Sequence, residues 1–275
     1  MKKRFLHIAL ILIVCFFFQI FLMELTVKLY PRFNEQLETR SFNDQYDPSL
    51  VRLDNVKKFT AFCDSLYGSN EISDSAKYAN IVNTATRFRF QHGYTWYHFG
   101  HNYIAKILAP LVDKTLSAIV VPDDMLKYPL AACSQQSIIS LKVLMDKGFK
   151  VRKVGFFEPT IGGHFCYEVF YNGGWHFYDP DREPDEKVLL DNHRPGIQYL
   201  VANPTILRAA YPRDDSSFVM SLYKSYKISN IKKLPGWKAR LFQQTTKFLS
   251  YTSWIFLGLL YFYIEKKFFM PKKKK

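Results

Sequence analysis

The chain has 275 residues, 48% of them hydrophobic and 17% aromatic, with a formal net charge of +14 and four cysteines. That apolar content excludes a disordered chain, and four cysteines in this length exclude a disulfide-stapled miniprotein. More than half of the excess charge sits at the two tips, at Lys2, Lys3 and Arg4 and at Lys266, Lys267 and Lys272–Lys275 against Glu265. The remainder is dispersed, which is not the clustered footprint of a nucleic-acid binder.

Phe5 to Met23 is a run of 19 residues without a formal charge. A helix needs about 20 apolar residues to cross a bilayer core. The run leads into Glu24-Leu25-Thr26-Val27 with no small-x-small site, so it is expected to be an uncleaved anchor. Phe248 to Ile264 is a second uncharged run, of 17 residues. Trp237, Trp254, Tyr261 and Tyr263 suit headgroup belts, and the basic tips place both ends in the cytoplasm. The expected organisation is an anchor at 1–25, a stalk with lead helices at 26–80, and a catalytic-type domain at 81–212. A linker at 213–247, a second membrane helix at 248–264 and a basic tail at 265–275 follow.

In the exposed middle, the turn-rich residues 26–54, with Pro31, Asn34, Asn43 and Pro48, read as a stalk. Val56, Phe59, Phe62, Cys63 and Leu66 have helical spacing, and Gly68 stops that helix. Ser73 or Asp74 caps a second helix running to about Phe90. Asn102 to Leu108 begins a third, ended by Pro110. His98 and His101 could share a metal on a helix, but no third ligand is evident. Trp96 or Tyr97 is placed near a cleft.

A further helix opens at Cys133 and stops at Gly148. Strands are expected at 150–157, at 164–171 and at 175–179, with a hairpin turn at Asn172-Gly173-Gly174. The order is therefore a helix with Cys, a strand, a strand with His and a strand with Asp. A helix N-terminus and an adjacent imidazolium both favour thiolate over thiol. His164 on a strand can act as base and then as acid. Asp179 can orient the imidazole, and amides at the helix start can stabilise an oxyanion.

This stretch resembles the transglutaminase-like family, a branch of the papain-like thiol enzymes. The resemblance rests on Cys133 opening its helix and on Gly148-Phe149-Lys150-Val151-Arg152 at the helix-to-strand turn. It continues through His164-Phe165-Cys166-Tyr167-Glu168-Val169, Asn172-Gly173-Gly174-Trp175 and Tyr178-Asp179-Pro180, and covers roughly residues 125–185. It implies an α+β, papain-like core, in which a Cys on a helix N-terminus packs on an antiparallel sheet carrying His and Asp. It also implies a Cys133–His164–Asp179 triad performing acyl transfer through a thioester, with water or an amine as acceptor. No cofactor and no metal are implied.

Ala131-Ala132 stands where the family usually has Gly before the Cys. A two-residue Gly173-Gly174 loop would set Asp179 opposite Glu168, about 13 Å along the sheet from His164. Cys166 is expected on the His164 face, where it could pair with Cys63 or cap Cys133. Asp179, Asp181, Glu183, Asp185 and Glu186 read as a solvated acidic loop. The expected protein is a two-pass member of a bacterial inner membrane with its domain outside the cytoplasm. Its expected partners are the bilayer, a protein, peptide or peptidoglycan-like amide substrate, and envelope proteins, with no nucleic acid. The rival reading is an inactive domain of the same fold that binds within an envelope or polysaccharide-export assembly.

Overall fold

The computed structural model describes residues 2–29, 45–69, 71–160, 162–182, 184–231 and 233–269. Most of the stalk reading, Glu183 and the terminal lysines Lys272–Lys275 lie outside the described residues. The chain forms two compact units, one of residues 1–32, 96–119 and 238–275, the other of residues 33–95 and 120–237.

In the first unit, helices α1 (Lys2–Leu29) and α11 (Trp237–Ile264) are both long and apolar enough to cross a membrane. They run antiparallel. Glu24 accepts a hydrogen bond from Ser250, Phe18 and Phe21 pack on Trp254 at 5.1 and 5.6 Å between ring centroids, and His7 lies against Tyr261. Trp254 therefore fills the seam between the two helices instead of facing outward, as a belt residue would. Helix α4 (Phe99–Val112) joins this pair. Its backbone breaks from helical geometry at Asn102, whose side chain caps the amide of Ala105 at 3.1 Å. Pro110 does not end α4, which continues to Val112; a proline in the last turn removes a single hydrogen bond.

In the second unit, α2 (Val56–Tyr67) is capped by Asn55 and closed by Gly68 at φ 85°, a left-handed conformation that glycine adopts without steric cost. Asp74 caps α3 (Ser75–Arg89). After the short α5 (Pro122–Met125) comes α6 (Cys133–Asp146), followed by Gly148 at φ 86°.

Strands β1 (Lys150–Glu158), β2 (Gly162–Tyr171), β3 (Gly174–Tyr178) and β4 (Lys227–Ile228) form one antiparallel sheet in the order β3-β2-β1-β4. The fold is α+β. Alternation along the strands sends successive side chains to opposite faces. Val154, Phe156, Cys166 and Phe177 pack with α7 (Glu186–Asp191), α8 (Ile197–Ala202), α9 (Pro204–Ala210) and α10 (Ser216–Lys224). Toward α6 and α3, Ser137 bonds the Phe165 carbonyl at 2.8 Å and the Tyr167 hydroxyl donates to Asn83 at 3.1 Å.

Glu168 has a structural role within the strand motif. It is fully buried, accepts Arg152 Nε at 2.6 Å and the Ile197 amide at 2.7 Å, and so ties β2 to β1 and to the start of α8. The Arg152 guanidinium also lies 4.0 Å over the Trp175 ring.

Candidate active site

The Cys133 position is built by the loop that enters α6. Arg89, fully buried, donates to the carbonyls of Tyr128 at 3.0 Å and Leu126 at 2.5 Å and pins the approach to the loop. Ala131 and Ala132 are buried, and neither offers a side-chain cap. Two glutamines supply the missing bonds. Gln135 Oε1 accepts the amides of Ala132 and Thr95 at 3.2 and 3.0 Å, and its Nε2 donates to the Thr95 carbonyl at 3.1 Å. Gln136 Nε2 donates to the Ala131 carbonyl at 2.9 Å and to Asp181 Oδ1 at 2.8 Å. Cys133 is the first residue of α6. The amides of Cys133 and Ser134 are first-turn donors, without an intrahelical carbonyl to bond.

The hairpin brings Asp179 to His164. The loop is Asn172-Gly173, both with positive φ (46° and 78°), and Tyr171 pairs with Gly174. This is the two-residue turn whose twist matches the strands. It shifts the expected pairing by two residues: Phe177 lies opposite Glu168, and the ladder ends at Tyr167↔Tyr178. Asp179 follows directly, level with Cys166 and only two residues from His164. The expected 13 Å separation is therefore replaced by a hydrogen bond of 2.7 Å between His164 Nε2 and Asp179 Oδ2.

Asp179 is fully buried and accepts from four other donors. The amides of Asp181 and Arg182 reach Oδ1 at 3.1 and 3.2 Å, and the hydroxyls of Tyr211 and Tyr223 reach Oδ2 at 3.0 and 3.2 Å. Burial alone would raise its pKa. The His164 charge and hydrogen bond, with the two amides, outweigh it and hold the carboxyl well below the usual range. Burial likewise works against a charged His164, and Asp179 overcomes it, so the imidazole binds its proton more tightly than an exposed histidine.

Nε2 faces Asp179, and a hydrogen bond with Cys133 adds to the rise of the His164 pKa. The Cys133 Sγ, a His164 ring nitrogen and an Asp181 oxygen lie within 4.8 Å of one another. Cys166 is on the His164 face as expected, with Sγ 3.1 Å from Nε2, and all four cysteines are free. Burial raises the Cys166 thiol well above its ordinary pKa and pushes Cys63 up to about 12.

The acidic segment is not a solvated loop. Asp179 and Asp181 are buried in the site, Asp185 caps α7, and Glu186 faces Arg194 at 3.4 Å. Asp181 Oδ1 also takes His92 Nδ1 at 2.7 Å, a hydrogen bond that raises the His92 pKa.

Among the described residues, two groupings could hold a metal ion: Cys133, His164 and Asp181, and His164, Cys166 and Asp179. Of these donor atoms, His164 Nε2, Cys166 Sγ, Asp179 Oδ2 and Asp181 Oδ1 already take part in the hydrogen bonds just described. His98 and His101 belong to neither. His101 is buried in the other unit and accepts a hydrogen bond from Lys247 Nζ at 3.3 Å.

Cys133 and His164 line a cavity of about 350 Å³, together with Tyr94, Phe156, Phe157 and Ser134. Tyr94 takes the place expected for Trp96 or Tyr97. Burial raises its phenol pKa and negative charge at Cys133 adds to the effect, while a bond to Ser134 opposes it. A protonated phenol beside the helix start is a suitable donor to an oxyanion.

No protein-family model, curated protein or solved structure matches this chain.

Proposed function

We propose that the protein is a membrane-tethered thiol enzyme of the transglutaminase-like kind, acting on an amide or peptide bond. The observation that carries this reading is the buried His164–Asp179 pair with Cys133 beside it at a helix start. Cys133 gives its proton to His164 and attacks the carbonyl carbon. The tetrahedral oxyanion is met by the first amides of α6 and by Tyr94. His164, kept in position by Asp179, returns the proton to the leaving amine, and a Cys133 thioester remains. Water, deprotonated by His164, then gives hydrolysis; an amine gives transfer.

The membrane part of the reading rests on α1 and α11, whose apolar windows are only 6% buried each. Exposed apolar side chains on two antiparallel helices are suited to lipid contact. With both basic tips held in the cytoplasm, the sheet-bearing unit works on the opposite side, at the inner membrane of a bacterial envelope. Envelope proteins and peptidoglycan-like amides are the substrates and partners within its reach.

The test is to treat the purified full chain with p-nitrophenyl acetate, quench in acid and map the adduct by mass spectrometry. An acetyl group on Cys133, removed by hydroxylamine and absent from Cys133→Ser, is expected. Acetylation confined to lysines, or equal in the serine variant, contradicts the assignment.

A further inference from the structure

The cleft carries a charge pattern that the Cys–His–Asp chemistry does not use. Its β-sheet wall is a cross-strand row in which Gly155 of β1 lies between Phe165 of β2 and Lys227 of β4. Lys153 follows on the same face of β1, two residues before Gly155. Both lysines line the same cavity as Cys133 and His164. Lys153 is half-buried, its ammonium 4.8 Å over the Phe165 ring, and burial lowers its pKa. Among the described residues neither lysine has a carboxylate partner, and no Asp or Glu lines the cavity. Gly155 leaves the space between them open: a Cβ there would meet only Lys153 Cε, at 3.9 Å.

A partly desolvated ammonium without a counterion is unfavourable in the empty protein, and a bound anion relieves that cost. Two cations on one wall, with Phe156 and Phe157 beside them, fit a ligand with an apolar body and a negative end.

We propose that the cleft selects an acyl donor bearing a carboxylate, held by Lys153 and Lys227 while its reacting carbonyl lies at Cys133. This rests on the thiol-enzyme reading above and adds the substrate class: an anionic amide, such as a peptide with an acidic side chain or a free C-terminal carboxylate near the scissile bond.

The experiment compares alkylation of Cys133 by iodoacetate and by iodoacetamide in the detergent-solubilised full chain, followed on the Cys133 peptide by mass spectrometry. The two reagents differ in charge and share a leaving group, so their rate ratio reads the anion site. The iodoacetamide rate alone reads nucleophile activation. Lys153→Gln/Lys227→Gln is expected to lower the iodoacetate-to-iodoacetamide ratio about tenfold, and the exposed Lys227→Gln alone by about threefold. N-acetylglutamate is expected to slow iodoacetamide in the wild type more than N-acetylglutamine does. A ratio unchanged by both variants, with no difference between the two competitors, overturns the anion site. A Cys133 that His164→Ala leaves equally reactive to iodoacetamide overturns the underlying thiol-enzyme reading instead, whatever the ratio.

Discussion

His164 Nε2 lies 2.7 Å from Asp179 Oδ2, and both side chains are buried. The carboxylate also accepts two amides and two phenols. This makes Asp179 a fixed negative charge, able to hold one tautomer of His164 and, in the proposed reaction, to stabilise the imidazolium formed when Cys133 gives up its proton.

Asp179→Asn keeps the shape and removes the charge. It is expected to lower the rate of Cys133 acylation by at least about a hundredfold, on the pattern of orienting carboxylates in other triads. It should also lower unfolding free energy by about 1–3 kcal/mol, as a charged hydrogen-bond hub is replaced by a neutral one. Urea denaturation and acyl-enzyme formation check the two effects. Wild-type acylation in the variant contradicts the orienting role.

The pair also predicts the sign of a pH effect. The His164 pKa is raised in the folded protein, so its contribution to stability is complete below the unfolded value of about 6.5. That contribution is lost as pH rises from there through the folded value. The stability difference between wild type and His164→Gln should therefore be largest below about pH 6.5 and shrink at higher pH. A difference that grows with pH contradicts the charged pair.

Tyr211 and Tyr223 approach Asp179 from α9–α10, more than 30 residues along the chain. Tyr211→Phe and Tyr223→Phe should each cost about 1.5–3 kcal/mol, the range for a hydrogen bond to a charged group. Calorimetry checks this. Full stability in both would mean that the hydroxyls do not serve the carboxylate.

Gly196 tests the packing behind the strand motif. A Cβ there would lie 2.9 Å from both Glu168 Oε1 and the Trp175 carbonyl, and neither can withdraw: Glu168 is fixed by Arg152 and Ile197, and the other atom is backbone. Gly196→Ala should destabilise by about 1–3 kcal/mol, as overpacking does. An unchanged denaturation midpoint contradicts the assignment of Glu168 as a rigid anchor.

The sequence made the α+β class, the Cys133 helix and the three strands legible, because local signals carry them: Gly148 as a helix stop, Asn172-Gly173-Gly174 as a turn, alternation along β2. The spacing of Asp179 from His164 is not legible in the sequence, because turn position sets register and a shift of one residue in the turn moves the strand partner by two. Ala131-Ala132 stands before Cys133 without a side-chain cap. Gln135 and Gln136 supply the bonds there from inside α6, which residue type alone does not announce. Tyr94 and Lys227 reach the cleft, and Asp181 with His92, Tyr211 and Tyr223 reach the groups behind it, from separate segments through tertiary packing, which leaves no local periodicity. Proline ordinarily signals a helix stop, yet in α4 Asn102 caps a fresh start and Pro110 falls in the last turn.

The central claim is an activated thiol at Cys133, and the most direct measurement is its alkylation rate by iodoacetamide against pH, in wild type and His164→Ala. Buried Cys63 and Cys166 should stay unlabelled until the chain is unfolded, so the Cys133 peptide reports the site. Alkylation at pH 7 at least about tenfold faster than in His164→Ala, and persisting toward pH 6, is the result predicted. A slow rate that rises only toward pH 8.5 and is the same in both proteins would contradict it.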